Sequence, residues 1–279
     1  MSVRDGADTL PATLESLCVQ SYPQWWEVWV VDHRSIDGTA AVAAQFSDRL
    51  PRVTVVRDEE SEYKAGAVNG GARCTKGEAL LFLDADDLAA TDYLLHMGRA
   101  LARAPFVGGR LDVDLLNDER VRSRRSPLQN ERIDVMRGHL PAVSGAAMGI
   151  WRSVFDEVGG FDDRQGQLED VELSWRLHDA GYRAQFAPEA VVHYRYRAGI
   201  RETFRQERKY GEAEVQLYLT HREHGMKRRT LPRVVYSYLR LIALLLAVPR
   251  TGGAARFVTH LGGSVGRLIG SVRHRVFYL

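Results

Sequence analysis

This chain of 279 residues contains few cysteines and few long apolar runs, and its first residues do not have the pattern of a leader. Its two cysteines, Cys18 and Cys74, are too few for a disulfide framework, and neither has Cys or His neighbours at zinc-site spacing. No basic segment followed by an apolar segment opens the chain, so we expect a cytoplasmic location. A small disulfide-stapled secreted protein is therefore excluded.

The longest apolar run, at 234–248, is interrupted by Arg240, whereas a membrane span needs about 20 apolar residues. This shortage argues against a protein with several membrane spans. Hydrophobic residues still make up 45% of the sequence, which is enough to bury the core of one large domain, with or without an appendage.

The formal net charge of +2 conceals a strong asymmetry along the chain. Residues 195–279 contain 17 Lys and Arg against 5 Asp and Glu, a balance of +12, while residues 1–194 contain 21 against 31, a balance of −10. The two parts therefore suit different partners. We expect a folded catalytic domain over residues 1–197 and a helical, basic and apolar tail over residues 198–279.

In the first half, short apolar runs alternate with helical patterns, which is typical of a parallel α/β sheet. The pattern predicts helices at 9–20 and 40–46, strands at 27–32, 53–56 and 79–83, and a glycine-rich loop at 64–73. Ligands of such sheets bind beyond the carboxyl ends of the strands. We therefore expect Asp32, the Lys64 loop and Asp86 to converge on one crevice.

The segment Asp84-Ala85-Asp86-Asp87 follows the apolar strand at 79–83 directly. Hard cations such as Mg²⁺ or Mn²⁺ take oxygen ligands, usually one or two carboxylates together with substrate phosphates. Aspartates are also common caps and turn residues, and on these residues alone the two interpretations are equally good.

Two other polar positions fit the same crevice. Asp32 suits a hydrogen bond from the imide of a nucleobase, and Lys64 suits the charge of a diphosphate. Taken singly, a turn residue and a solvated lysine explain them equally well.

A second acidic segment, Glu169-Asp170-Val171-Glu172, offers a general base. A carboxylate in a partly desolvated cleft suits the role of a general base, and Asp170 is our candidate. Neighbouring acidic groups raise one another's pKa, which helps a carboxylate act as a base. The alternative is an acidic helix N-terminus, which is stabilising by itself.

In order and spacing, these segments resemble the successive motifs of family 2 glycosyltransferases. The resemblance covers about residues 4 to 197 and rests on four motifs: Val30-Val31-Asp32-His33-Arg34-Ser35-Ile36-Asp37-Gly38-Thr39, Lys64-Ala65-Gly66-Ala67-Val68-Asn69, Leu83-Asp84-Ala85-Asp86-Asp87, and Gly159-Gly160-Phe161-Asp162 with the acidic segment after it. It implies an α/β GT-A fold with a mostly parallel, Rossmann-like sheet. It also implies a nucleotide-diphosphate sugar donor and transfer with inversion. We expect a UDP-sugar before others, and we expect transfer of one sugar because the sequence does not show the several long membrane spans of processive polysaccharide synthases.

The resemblance also implies roles for individual residues. Asp170 would be the catalytic base, and the metal, Mn²⁺ or Mg²⁺, would be held by Asp86 and His193. The donor would contact Val3, Asp5, Asp32, Ser35, Lys64, Asn69, Asp84 and Asp86. The acceptor would contact Trp151, Arg152, Glu169 and Trp175, although the aromatic and arginine side chains suit core packing equally well.

One departure from the family pattern concerns the start of the chain. Relatives normally have a buried apolar strand just before the position of Val3, and we expect this first strand to be missing or truncated here. An open sheet edge invites pairing with another chain, so a homodimer is one expectation.

The basic tail is predicted to contain a helix at 203–222, followed by the apolar run at 234–248. Basic residues surround this run: Lys227, Arg228, Arg229, Arg233, Arg250 and Arg256. Such a helix suits a membrane surface, which would place the protein peripherally on the inner face of the cell membrane. Packing on the catalytic domain or in a dimer interface is the alternative. Nucleic acid is not expected, because no recognition motif accompanies the charge.

We expect the acceptor to be a glycan, a lipid-linked molecule or a small molecule. Two other functions stay open. One is a catalytically silent membrane adaptor that keeps the fold. The other is a sugar-1-phosphate nucleotidylyltransferase, which would need a Gly-rich basic N-terminal loop that this sequence does not have.

Overall fold

The computed structural model describes residues 1–124, 127–251 and 253–279, with the side chains of 249–251 excepted, so the expected role of Arg250 lies outside the described residues. The helices are α1 Leu10–Cys18, α2 Thr39–Ala44, α3 Lys64–Cys74, α4 Tyr93–Leu101, α5 Glu119–Arg122, α6 Arg152–Glu157, α7 Glu169–Asp179, α8 Ile200–His221, α9 Leu231–Thr251 and α10 Ala254–Arg273. The strands are β1 Ser2–Val3, β2 Val28–His33, β3 Val53–Asp58, β4 Ala79–Phe82, β5 Leu88–Ala89, β6 Phe106–Asp112, β7 Val135–Met136, β8 Leu140–Pro141, β9 Met148–Trp151 and β10 Gln185–His193.

The hydrophobic periodicity predicted several of these elements correctly. In α1 the apolar residues at helical spacing, Leu10, Leu14 and Leu17, are buried. Pro11 lies in the first turn, where its missing N–H has no intrahelical partner to lose. The strands predicted at 27–32 and 53–56 are present as β2 and β3.

The glycine-rich segment predicted as a loop is instead the helix α3, so that prediction is wrong. Two of its glycines lie where a side chain would collide with a neighbour. A Cβ on Gly71 would lie 2.6 Å from Cγ2 of Val31, and one on Gly66 would lie 2.8 Å from Oγ of Ser61. Here glycine allows close helix packing, which offsets its poor helix propensity.

The strands form a mixed α/β architecture with parallel and antiparallel pairs. β1, β2 and β3 make one parallel sheet, in which Val3 pairs with Asp32. A five-stranded sheet has the order β4-β9-β6-β10-β5, parallel between β6 and β10 and antiparallel elsewhere. Polar residues close or directly follow five of these strands: β1, β2, β4, β6 and β10.

Apolar side chains cover both faces of the five-stranded sheet. One cluster joins α1 and α4 to the sheet and includes Leu14, Met97 and Val107. The other joins α6 and α7 to the opposite face and includes Phe155 and Leu173. Burying each such side chain contributes about 1.5–3 kcal/mol, so the two layers hold α7, with its acidic first turn, in a fixed position.

In the tail, α10 packs against α8 through glycines at every fourth position. Cβ atoms on Gly262, Gly266 and Gly270 would meet successively later residues of α8, which means that the two helices run in the same direction. A Cβ on Gly266 would overlap the carbonyl oxygen of Arg208. Small residues at this spacing let helix backbones approach closely.

We expect Gly266→Ala to lower the free energy of unfolding by about 2–3 kcal/mol, since the added methyl must push two helix backbones apart. Gly263→Ala is the matched control in the same helix, because its Cβ would lie 3.4 Å from the mobile Nη1 of Arg267. That change should be neutral or stabilise by up to about 1 kcal/mol through helix propensity. Urea unfolding of both variants measures the difference, and equal losses would contradict the close approach at Gly266.

Helix α9 is apolar on nearly all sides and mostly exposed. Its window Leu231–Val248 has a mean hydropathy of 1.6 over 18 residues, and 6% of that window is buried. By length and composition it is the one helix of the described residues that is able to cross a membrane. Large apolar side chains such as Leu239 and Leu246 are 60% and 66% exposed. A helix that is hydrophobic all round normally lies in a core or in lipid, and this one lies outside the core.

Candidate active site at the strand ends

Three carboxylates gather directly after β4. Ligand oxygens of Asp84, Asp86 and Asp87 all lie within 4.8 Å of one another. Asp87 is fully buried: its Oδ1 accepts the backbone N–H of Arg195 at 2.7 Å, and its Oδ2 has no hydrogen-bond partner among the described residues. An orphaned buried carboxylate oxygen beside two others is a suitable donor set for a hard divalent cation such as Mg²⁺ or Mn²⁺.

The electrostatics of this cluster also favour a cation. Burial, together with the charge of Asp84, raises the pKa of Asp86. Burial and both neighbouring carboxylates raise the pKa of Asp87 well above its usual range. For Asp84, burial acts in the same direction, but the ammonium of Lys64 outweighs it and lowers the pKa. Carboxylates crowded in this way are stabilised in their charged forms by a metal ion.

Lys64, the first residue of α3, connects this cluster to α7. Its Nζ lies 2.5 Å from Oδ1 of Asp84 and 3.8 Å from Oε1 of Glu169. Burial lowers the pKa of Lys64, but the surrounding carboxylates outweigh burial and raise it, so the side chain stays charged. The same small cavity is lined by Gly145 and Asp170. Asp84 of the carboxylate cluster and the candidate base Asp170 therefore face a common space.

Asp170 lies in the first turn of α7 with both carboxylate oxygens engaged. Oδ2 accepts the N–H of Gly145 and Oδ1 accepts the N–H of Val171, each at 2.8 Å. Burial raises the pKa of Asp170, while these hydrogen bonds and Lys64 partly oppose the rise. Leu168, the residue just before α7, has a left-handed backbone with φ of 61°. Such strain in a bulky residue is typical of functional sites, and here it turns the acidic segment toward the cavity.

Glu172 has a different environment from its neighbours in the acidic segment. It is buried and accepts hydrogen bonds from Arg176, whose guanidinium also donates to the carbonyls of Val158 and Gly160. Burial raises the pKa of Glu172, but His221, whose Nε2 lies 3.6 Å from Oε1 of Glu172, and the hydrogen bonds from Arg176 lower it overall. Glu172 therefore stays ionised in an ion pair that fastens the turn at 158–160 to α7.

Four of the predicted donor positions meet in one hydrogen-bonded turn. Asp32 is 2% exposed, and its Oδ1 accepts the N–H of Ser35. Oγ of Ser35 accepts the N–H of Asp5 at 2.9 Å, while Oδ1 of Asp5 accepts the N–H of Ile36 at 2.9 Å. Val3 is the parallel-strand partner of Asp32. The ends of β1 and β2 are thus locked together beside the cavity.

His193 ends β10 and pairs with Asp112 at the end of β6. Its Nδ1 lies 2.6 Å from Oδ2 of Asp112. Within the described residues, the group of metal-ligating atoms that lie close together contains the three aspartates and not His193. A histidine whose Nδ1 is held by a carboxylate presents Nε2 in a fixed direction. The structure thus orients His193 without bringing it into the carboxylate cluster.

Two predicted acceptor residues support the fold instead of lining a cleft. Nε1 of Trp151 donates to the carbonyl of Leu101 at 2.9 Å. Arg152 donates to the carbonyls of Gly77 and Ala72, each at 2.8 Å, and so holds the connection between α3 and β4. The structure favours the packing alternative for both residues.

Trp175 and Asn69 are likewise occupied by internal contacts. Trp175 is 0% exposed, and its Nε1 donates to the carbonyl of Leu140. The amide of Asn69 donates to the carbonyl of Phe161 at 2.8 Å and accepts its N–H at 3.0 Å. Asn69 therefore fixes the turn that precedes α7, and Trp175 has no surface to offer to an acceptor.

Sequence reasoning missed two arginines at the carboxylate cluster. Nη2 of Arg197 lies 3.3 Å from Oδ2 of Asp86, and Nε of Arg195 donates to the carbonyl of Asp86 at 3.0 Å. A signal for them was present, since His193, Arg195 and Arg197 alternate with tyrosines directly after a strand. An extended chain places alternate residues on the same side.

Comparison with known proteins adds an independent observation. Residues 1–159 match the family model described as glycosyl transferase family 2. The chain is 24% identical over 223 residues to the glycosyltransferase AglE of Haloferax volcanii, covering 79% of this chain and 73% of AglE. It is also 24% identical over 247 residues to a β-monoglucosyldiacylglycerol synthase of Nostoc sp., covering 84% of this chain but only 52% of that enzyme.

Among solved structures, the fold is similar to a mannosyltransferase of Pyrobaculum calidifontis in complex with GDP-mannose and Mn²⁺. The TM-score is 0.68 at 19% identity, with coverage of 96% of this chain and 85% of that chain. This similarity concerns the fold, and it confirms the GT-A class expected from the sequence.

Proposed function

The chain belongs to glycosyl transferase family 2, and we propose that it transfers a single sugar, with inversion, from a nucleotide-diphosphate sugar to an acceptor hydroxyl in a metal-dependent reaction. We assign the catalytic unit to residues 1–197 and the basic tail to residues 198–279. The observation that carries this proposal is the shared cavity between Asp84, Lys64 and Asp170, which joins a candidate diphosphate site to a candidate base.

The carboxylates of Asp84, Asp86 and Asp87 are the residues that would hold the metal, and their spacing and orphaned oxygen fit one. A bound Mn²⁺ or Mg²⁺ would supply Lewis-acid stabilisation of the negative charge on the leaving diphosphate. Lys64 and Arg197 add positive charge at the same place, each now paired with an aspartate of the cluster. These pairs are the contacts that an incoming diphosphate would exchange for its own oxygens.

At the other side of the cavity, Asp170 accepts the proton of the acceptor hydroxyl. Its Oδ2 is held by the N–H of Gly145, which fixes the carboxylate plane before the acceptor binds. Burial raises its pKa, which makes it a stronger base than an exposed aspartate. One displacement at the anomeric carbon, without a covalent enzyme intermediate, gives inversion.

The tail fits an enzyme that works at a membrane surface. Helix α9 exposes a nearly continuous apolar surface, and basic residues such as Arg228 and Arg233 lie near its N-terminal end. Cationic residues around an apolar helix bind anionic lipid surfaces. We therefore place the protein peripherally on the inner face of the cell membrane, with a glycan or lipid-linked acceptor.

Calorimetric titration with UDP, GDP and their common sugars tests this function, with Mn²⁺ and again with EDTA. Micromolar-range binding of one nucleotide class that weakens strongly in EDTA is the expected result, because the carboxylate cluster repels a diphosphate without the cation. Failure to bind every nucleotide under both conditions would contradict the proposal and favour a silent adaptor with the same fold.

A further inference from the structure

We propose that a cleft between α5, α9 and the start of α10 binds the phosphate of an anionic membrane lipid. The cleft is a cavity of about 480 Å³, lined on one side by Arg120, Arg124 and Arg256 and on the other by apolar residues that include Leu244 and Ile200. That volume lies within the usual range of small-molecule sites. This inference rests on the proposed membrane contact of α9 and deepens it by naming the lipid group that is recognised.

The three arginines keep their positive charge uncompensated. In the part of the chain that the structure describes, none of them pairs with a carboxylate. Nη1 of Arg124 donates to the carbonyl of Ala198 at 2.7 Å, and Nη2 of Arg256 donates to that of Ser123 at 2.8 Å. Carbonyl oxygens orient a guanidinium without neutralising it, so the cleft is preorganised for an anion.

The start of α10 adds to this positive potential. Ala254 and Ala255 line the cleft and lie in the first turn of a 20-residue helix. Backbone N–H groups in a first turn have no acceptor within their own helix, and the helix dipole favours a negative group there. A phosphate at this place would meet both guanidinium and backbone donors.

The apolar wall favours a lipid over a free phosphate. Leu244 belongs to α9, whose neighbouring side chains Ile242 and Leu246 are 55% and 66% exposed. A helix of this kind lies with its apolar side at the boundary between headgroups and acyl chains. With α9 at that depth, the three cleft arginines, which lie near the C-terminal end of α9, would be at the level of the lipid phosphates. An inorganic phosphate would use the polar side of the cleft alone.

Vesicle flotation of the full chain tests the site, with phosphatidylcholine vesicles that contain or lack phosphatidic acid. Arg120→Gln is the first variant, because the Arg120 side chain makes no hydrogen bond to the described part of the chain. Arg256→Gln is the second. Arg222→Gln is the matched control, since it makes the same charge change at the C-terminal cap of α8, at the opposite end of that 22-residue helix from Ile200.

We expect phosphatidic acid to strengthen the binding of the native chain to vesicles. In each cleft variant this increase should be at least about fivefold smaller, whereas Arg222→Gln should keep the full increase. Equal losses in all three variants would overturn the site and indicate diffuse attraction. Inhibition by inorganic phosphate without any preference for phosphatidic acid would also overturn it, in favour of a free anion. Thermal melts of each variant check that the fold is intact.

A separate variant distinguishes failure of the site from failure of the membrane proposal. Leu239→Ser combined with Leu246→Ser removes apolar surface from α9 and leaves the cleft arginines in place. If α9 contacts the membrane, this double variant loses binding to both kinds of vesicle. If it binds both as the native chain does, the membrane contact is wrong, and the lipid site that rests on it is overturned as well.

Discussion

Replacing Asp170 with Asn should lower kcat by about 10²–10⁴-fold, the range that a positioned general base contributes. Asparagine has nearly the same shape and keeps an oxygen that is able to accept the N–H of Gly145. It has no basic carboxylate, so the acceptor hydroxyl would keep its proton in the transition state. Because Asp170 is not one of the three carboxylates that would hold the metal, calorimetry should find nucleotide affinity unchanged within about twofold.

The pH dependence of the reaction gives a second readout of the same variant. Burial raises the pKa of Asp170 above the usual value of about 3.9, and only the deprotonated form is a base. Activity should therefore fall as the pH is lowered through that raised pKa, and the residual activity of Asp170→Asn should lack this acidic limb.

Asp179→Asn is the matched control for the base assignment, because it makes the same chemical change in the last turn of α7. Its kcat and pH profile should equal those of the native enzyme. Full transfer activity in Asp170→Asn would remove the base assignment. A loss of the same size in both variants would show that α7 had been disturbed as a whole.

Hydrophobic periodicity and strand-end polar residues were enough to predict the α/β core, since they are local properties of the sequence. Leu10, Leu14 and Leu17 repeat at helical spacing and are buried in α1. Likewise, the apolar strand before Asp84 delivers three carboxylates to one place. β1 and β2 are parallel neighbours, so their ends at Val3 and Asp32 also lie together.

Tertiary contacts decided the features that the sequence did not predict. The glycines of α3 suggested a loop, and only the nearby side chains of Val31 and Ser61 show why a helix needs glycine there. By its chemistry Trp175 suits a sugar surface and core packing equally well, and in the structure it is fully buried. Arg197 reaches Asp86 across more than a hundred residues, a distance over which a local pattern carries no information.

Pairing of Lys64 and Arg197 with the aspartates has a consequence for how the donor binds. Both cations lie at the cluster where the diphosphate is proposed to bind, and both are engaged by carboxylates. A metal ion on the aspartates would compete with these ion pairs and release the two side chains toward the phosphates. Metal and donor should therefore bind with positive coupling, each raising the affinity of the other.

Replacing Asp86 with Asn should weaken Mn²⁺-dependent donor binding by at least about 100-fold, since even residues behind the ligands cost 10–100-fold in metal affinity. In EDTA we do not expect this substitution to weaken donor binding. Arg197 loses its carboxylate partner and becomes free for the diphosphate, so the metal-free affinity for the donor should stay equal or rise. Asp92→Asn, just before α4, is the matched control and should leave both affinities unchanged. Calorimetry of the native chain and both variants, with and without Mn²⁺, measures all six affinities. Equal affinities of the native and Asp86→Asn chains in Mn²⁺ would defeat the metal assignment.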